Sequence, residues 1–280
     1  MRINHNIASM VTQGALSQVN RGLNTSLERL STGMRINRAS DDAAGLSVSE
    51  NLRTQVRGIQ QARANASDGV SLLQIAEGAA NEISSLLQRM RELAVQSTND
   101  TLTTTERSYT NQEYVALISE IDRIVDSAQY NGITLLDGKA GSFGTSGAQS
   151  LHIGANAATA DAVTITISGI SAAGLGGLST NQGITSQALA LNAITSLDTA
   201  VNSINSMRSD LGAYVNRLEH AINNLDNQAH NTQAAESVIR DVDFAAETSV
   251  FTRNQIMVQS ATSMLAQSNM VPQTVLSLLG

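Results

Sequence analysis

The sequence predicts a mainly α fold: long coiled-coil helices forming an up-and-back rod, with a small β-hairpin region in the middle of the chain. Three observations predict it. Apolar residues recur in alternating steps of three and four on both sides of the middle, the pattern of a coiled-coil seam. Only one proline, Pro272, interrupts 280 residues, and aromatics make up 2% of them. The core is therefore built from small and aliphatic side chains, which suits thin helix-on-helix packing rather than a globular core filled by large rings. Finally, the middle alone carries β alternation among Gly, Ser and Thr.

In chain order, a first helix is expected from about Asn4 to Thr32, with Leu16, Val19, Leu23, Leu27 and Leu30 as its stripe and Gly33 as its C-cap. A polar linker, MRINRAS, follows. Ser40 is expected to cap the second helix, with Asp41 and Asp42 in its first turn, where the helix dipole favours negative charge. That helix extends to about Thr98 along Leu73, Ala76, Ala80, Ile83, Leu87, Met90 and Ala94. After a reversing loop, Thr104 or Thr105 can cap a third helix running to about Gln129. Asn131-Gly132 and Asp137-Gly138 then bracket ITLL as a turn, a strand and a turn.

From Lys139 to Ala190 only Lys139 and Asp161 are charged. Strands are expected at 150–154 and 163–170, the second with Val163, Ile165 and Ile167 on one face and Thr164, Thr166 and Ser168 on the other. Loops are expected around Gly174–Gly177. The heptads resume at Ile194, Leu197, Val201 and Ile204, pass Arg208, and continue through Leu211, Val215, Leu218, Ile222, Leu225 and Ala229.

The two ends are alike in an unusual way. Residues 254–280 contain no Asp, Glu, Lys or Arg, and residues 3–20 carry no formal charge with His5 neutral. An ordinary amphipathic helix turns charged residues to water. Here the polar face is Gln, Ser, Thr and Asn, which suits helices surrounded by protein on several sides. Twelve of the last 27 residues are of those four types, so a membrane span, which needs about 20 predominantly apolar residues, is not expected. Two uncharged ends pack on each other and then on copies of themselves. The expected polymerisation residues are Ile3, Ile7, Leu16, Val19, Leu23, Leu27, Ile256, Ala261, Met264, Leu265, Val275, Leu278 and Leu279. Three regions follow: 1–40 with 240–280 as a terminal coiled-coil domain, 41–139 with 185–239 as a helical rod domain, and 140–184 as a β-hairpin and variable surface segment.

A net charge of −7 provides no basic footprint for nucleic acid. The chain has no cysteine, hence no disulfide and no thiolate chemistry. MRINHNIAS lacks the apolar run of a secretory signal. The four histidines are scattered, and GxxxxGK[ST], HExxH, GxSxG and calcium-loop patterns are missing. Asp41 and Asp42 are adjacent on a helix and do not converge on one ligand. The reading is a non-enzyme with no cofactor and no metal site.

Several long stretches, in order, resemble the bacterial flagellins: ERLSTGMRINRASDDAAGLSVSE (28–50), LLQRMRELAVQSTN (86–99), EIDRI with QYNGITLLDG (120–138), and RNQIMVQSATSMLAQSNMVPQTVLSLLG (253–280). The resemblance implies a subunit that self-assembles into a helical filament for swimming, with the terminal helices lining an inner tube. The short middle implies a slim form lacking large outer domains. Export through the flagellar type III apparatus is implied. So are partners besides sister subunits: hook-filament junction proteins, a filament cap and an export chaperone over the C-terminal helix. The filament is expected outside the cell, although NMVPQ and LRTQVRGIQQAR also resemble flagellins that rotate in the periplasm.

The resemblance also implies two immune epitopes. A Toll-like-receptor patch carries over to Arg89, Leu93 and Glu113. A plant-receptor epitope carries over to Arg29, Leu30, Gly33, Arg35, Ile36, Asn37, Asp41, Asp42, Gly45 and Leu46, with Ser40 where that pattern has Lys and Arg38 where it has a small residue. A hook-filament junction protein is the alternative of the same class, and a secreted translocator or signalling ligand that of another.

Overall fold

The computed structural model describes residues 5–138, 149–170, 174–175 and 183–279, with only the backbone for 149 and 271–279. Among these, five α-helices carry most of the chain: α1 Ile7–Thr32, α2 Ala43–Ser97, α3 Thr104–Ser127, α4 Gln187–Arg240 and α5 Phe244–Leu279. Two small antiparallel pairs complete the fold, β1 Gln129–Tyr130 with β2 Ile133–Thr134, and β3 Gln149–His152 with β4 Ala162–Ile165. This is the expected mainly α class with small hairpins. The loops expected around 174–177 fall largely outside the described residues. No helix among the described residues is long and apolar enough to cross a membrane.

The chain divides into two compact units, one of Met1–Gln55 with His230–Gly280 and one of Val56–Ala229, the cuts falling inside α2 and α4.

The second unit holds the large apolar core. On α2 the expected seam from Leu73 to Ala94 is fully buried. The same three-and-four register extends back through Ala66, Ala62 and Ile59 and forward to Ser97, whose hydroxyl donates to the Ile184 carbonyl at 2.5 Å. Gly69 falls on that register, and a Cβ there would overlap Leu151 of β3 and press on Leu218 of α4 at 3.2 Å. The α4 register differs from the expected one. Leu197, Ile204, Leu211, Leu218 and Leu225 are buried as expected, but the alternate positions are Ala190, Ala193, Ala200 and Met207. Ile194 and Val201 flank the seam half-buried. Alanine at 190, 193 and 200 lets helices approach closely, and Ile194 and Val201 are displaced to the edges of the seam.

Caps explain the helix limits. Thr103, not Thr104 or Thr105, starts α3, because Glu106 returns a bond to the Thr103 amide while the Thr103 hydroxyl accepts from the Glu106 amide. The Glu106 carboxyl is held below its ordinary range by the Thr103 amide and hydroxyl. In the Asn131-Gly132 turn between β1 and β2 both residues have positive φ, 50° and 78°, the geometry that selects Asn-Gly in two-residue hairpins. The strand ends at Thr134, and Leu135 and Leu136, expected to continue it, turn into the core instead. On β4 and beyond, Val163, Ile165 and Ile167 are buried and Thr164, Thr166 and Ser168 exposed, as the alternation requires.

Candidate assembly surface

The first unit is built from the two ends of the chain. Asn6 caps α1, accepting from the Ser9 amide, and Gly33 closes it with φ 71°. Between α1 and α2, Asp41 is drawn into the turn, where one carboxylate oxygen accepts from the amides of Asn37 and Arg38 at 3.2 and 3.0 Å. These bonds hold its carboxyl below the ordinary range, the Arg38 amide contributing most. Asp42 then caps α2, accepting from the Gly45 amide at 2.8 Å. The expected Ser40 cap is thereby corrected: Asp41 is committed to the turn and the helix begins two residues later, at Ala43.

The turn is tied to the α4–α5 connection. Met34 and Asp241 form an isolated antiparallel bridge, the Arg35 amide donates to the Arg240 carbonyl at 2.7 Å, and the Arg35 guanidinium donates to the Ile239 carbonyl. Arg240 donates from Nη1 to Glu50 at 2.7 Å and from Nε to the Met34 sulfur at 3.2 Å. The Arg240 bond holds the Glu50 carboxyl below its ordinary range.

Above this clasp α1 and α5 run antiparallel. The Asn6 side-chain amide donates to the Ser268 carbonyl, the Ser9 hydroxyl to Asn269, and Arg29 faces Glu247 at 3.6 Å. A Cβ on Gly22 would stand 3.2 Å from Asn254. On α5 the half-buried positions are Phe251, Asn254, Val258, Ala261, Leu265 and Ser268, and on α1 they include Ser9, Thr12, Leu16, Val19, Leu23 and Leu30. Both sets alternate threes and fours, with the buried Ser26 filling the step between Leu23 and Leu30, and half of the half-buried α5 set and a third of the half-buried α1 set are polar or small.

What this seam leaves out matters more. No apolar residue of α1 or of α5 up to residue 270 is buried; the buried ones are Ser26 and Glu247. Ile7, Met10, Val11, Leu27, Val250, Ile256, Met257, Met264 and Met270 stand exposed. The expected polymerisation residues therefore divide. Leu16, Val19, Leu23, Ala261 and Leu265 join α1 to α5, while Ile7, Leu27, Ile256 and Met264 face away from that seam. Ile3 lies outside the described residues, and Val275, Leu278 and Leu279 lie on the α5 backbone with their side chains outside the description. Sequence reading missed Val48, Val238 and Phe244, which are also exposed in this unit. They sit near helix ends, where no apolar periodicity marks them.

In the other unit, Arg89 donates from Nε and Nη2 to one Glu113 oxygen at 2.9 and 2.8 Å, and the pair is exposed. Leu93, expected beside them on the surface, is 2% exposed and belongs to the core beneath. Of the residues carried over for the plant epitope, Ile36 is buried, Arg29 is paired with Glu247, and Asp41 and Asp42 are engaged in the turn and cap. Gly33 and Gly45 are half-buried, a Cβ on Gly45 pressing on Ile36 at 2.8 Å.

Long helices with a terminal helix pair that is charge-free over 3–20 and from 254 onward, and that leaves apolar side chains facing outward, define a structural protein that works by packing against further chains. Residues 3–141 match the bacterial flagellin N-terminal helical region and residues 194–279 the bacterial flagellin C-terminal helical region. The chain is 44% identical to flagellin FlaB2 of Treponema pallidum and 45% to the flagellar filament 33 kDa core protein of Treponema phagedenis. It is 44% identical to the flagellin of Halalkalibacterium halodurans, and all three alignments cover the whole of both chains. The crystal structure of Bacillus cereus flagellin is similar at 33% identity over 62% of this chain and 94% of that one, with a TM-score of 0.49. The chain belongs to the bacterial flagellin family. It is a structural subunit of the flagellar filament, assembling with copies of itself, and not an enzyme.

Proposed function

We propose that the outward apolar faces of the α1–α5 hairpin are the contacts through which one subunit holds the next. The observation that carries this is the missing apolar core among the described side chains: up to residue 270 the buried residues of the helix pair are Ser26 and Glu247, and such a pair gains little from folding alone. Ordering each residue costs about 1–2 kcal/mol of backbone entropy, which a seam this polar does not offset. The hairpin therefore orders as the filament grows, with Ile7, Ile256 and Met264 buried by neighbouring copies. Removal of residues 254–280 tests it. The shortened chain stays soluble and forms no filaments by electron microscopy, while residues 56–229 keep their helical circular dichroism. Normal filaments from that chain would sink the proposal.

Export through the flagellar type III apparatus fits ends that fold only on arrival, as does a chaperone covering the α5 segment before export. Junction and cap proteins would meet the same hairpin at the filament ends. In this reading the filament lies outside the cell and serves as the propeller for swimming. The resemblance of NMVPQ and LRTQVRGIQQAR to flagellins that rotate in the periplasm supports a periplasmic filament as the second reading. Protease treatment of intact cells separates them, since only an external filament is cleaved.

The exposed Arg89–Glu113 pair supports contact with a host Toll-like receptor, Leu93 acting from below by fixing the α2 surface. Receptor activation lost in Arg89→Ala but retained in Leu93→Met would agree with these roles; equal loss in both would not. For the plant epitope, exposure of residues 28–49 in free subunits is required, because several of those side chains are engaged in the folded turn.

A further inference from the structure

We propose that Met10, Met257, Met264 and Met270 form an oxidation site through which peroxide decides whether a free subunit can join a filament. The inference rests on the assembly surface proposed above. The chain has no cysteine, so thioethers are its only sulfur. Its eight methionines are sorted by unit. Met90 and Met207 are buried in the core of the Val56–Ala229 unit. Met34 is half-buried, and its sulfur accepts the Arg240 Nε–H at 3.2 Å, which engages a lone pair. Met1 lies outside the described residues. The other four are 65%, 38%, 60% and 54% exposed in the order named, all on α1 or α5. Open to solvent before α1 and α5 pair, these sulfurs come together on pairing, when the Asn6–Ser268 and Ser9–Asn269 bonds set the Met10 end of α1 beside the α5 segment that carries Met264 and Met270.

The chemistry is a two-electron transfer. A thioether lone pair attacks one oxygen of hydrogen peroxide, the S–O bond forms as the O–O bond breaks, and the leaving hydroxide takes up the remaining peroxide proton as water. Sulfur is oxidised to the sulfoxide and peroxide is reduced. Each event turns a flexible apolar contact into a polar, chiral one. On a hairpin whose apolar contacts are few, four sulfoxides remove much of what a neighbouring subunit would cover. Once assembled, the same sulfurs are shielded, so oxidation acts on subunits and spares the filament.

The test treats the full-length free subunit with hydrogen peroxide, maps sulfoxides by peptide mass spectrometry, and measures the critical concentration for seeded polymerisation. Oxidation is expected at the four positions before Met90 and Met207, with a critical concentration raised tenfold or more. Treatment with the two methionine sulfoxide reductases restores it. Filaments given the same dose remain unoxidised at the four positions. Full sulfoxidation at all four with an unchanged critical concentration overturns the proposal, as does failure of the reductases to restore assembly. The quadruple substitution M10L/M257L/M264L/M270L gives a second arm: if it assembles, peroxide should leave its assembly intact, and equal inhibition would count against the site. The underlying assembly surface is judged separately, by the chain lacking residues 254–280.

Discussion

A Cβ built on Gly138 would stand 2.9 Å from the Cα of Gly169, and one built on Gly169 would overlap the Cα of Gly138. The two backbones touch because the Ile170 amide donates to the Leu136 carbonyl at 2.7 Å, pinning the segment after β4 against the turn after β2. Gly138 also has φ 66°, a conformation open to glycine and costly for other residues. The contact seats Leu135, Leu136, Ile167 and Ile170 in the core together.

Gly169→Ala is therefore expected to destabilise the Val56–Ala229 unit by about 1–3 kcal/mol, the range for overpacking against atoms that cannot step aside. Urea denaturation followed by circular dichroism measures it. A midpoint equal to that of the wild type would show that the two segments part without consequence.

Tyr114 gives a change of the opposite sign. Its ring is fully buried on α3 and its hydroxyl has no hydrogen-bond partner among the described residues. Burial pushes its ionisation up to about 12. A buried hydroxyl left unbonded costs about 1–3 kcal/mol. Tyr114→Phe removes the polar atom and keeps the ring, so stability should hold or rise by up to about 1 kcal/mol. Ultraviolet titration of the folded chain should show a tyrosine ionisation at about pH 12 that the phenylalanine variant lacks. A marked loss of stability in the phenylalanine variant would mean that the hydroxyl has a partner.

These sites show how far the sequence could be read. The α2 seam was legible because a heptad of Leu, Ile, Met and Ala against polar neighbours has one solution. The α4 seam was half legible: Leu197, Ile204 and Leu211 were found, but Ile194 and Val201 outweighed Ala193 and Ala200 on hydrophobicity alone. Which wins depends on how near the facing helix comes, and that is set by residues far along the chain. The Thr103 cap was in the sequence, since Thr103 and Glu106 stand three apart as a capping box requires. The outward character of the terminal helices was visible in their missing charges. Its division into an inner seam and an outer face was not, because the pairing of Asn6 with Ser268 joins residues from opposite ends of the chain.

The α1–α2 turn should respond to acid. Asp41 has its carboxyl held below the ordinary value of 3.8 by the Arg38 and Asn37 amides, and Glu50 below 4.5 by Arg240. Groups with depressed folded values contribute stability in full above their unfolded values, and lose it as pH falls through the lower folded ones. At neutral pH the contribution is present; below pH 3.8 the Asp41 part begins to go. Hydrogen-exchange protection of the Asn37 and Arg38 amides, corrected for the intrinsic pH dependence, should fall across that range. In Asp41→Ala it should be low at every pH. Protection that ignores pH in the wild type would remove Asp41 from the account of this turn.

Ile256 separates the inner seam from the outer face. It is exposed on α5, whereas Leu265, nine residues on, is half-buried against α1. Ile256→Glu places a charge on a surface otherwise free of it from 254 onward, without touching the α1 contacts. Burying that carboxylate between subunits without a partner would cost several kcal/mol, enough to stop polymerisation at ordinary subunit concentrations. Sedimentation after seeding should find the variant in the supernatant, and melting of the Val56–Ala229 unit should shift by no more than about 0.5 kcal/mol, as expected for an exposed substitution. Leu265→Ala should behave differently, weakening the α1–α5 pair and raising the critical concentration without abolishing growth. If Ile256→Glu polymerises as well as the wild type, the outer face of α5 near residue 256 is not where neighbouring subunits meet.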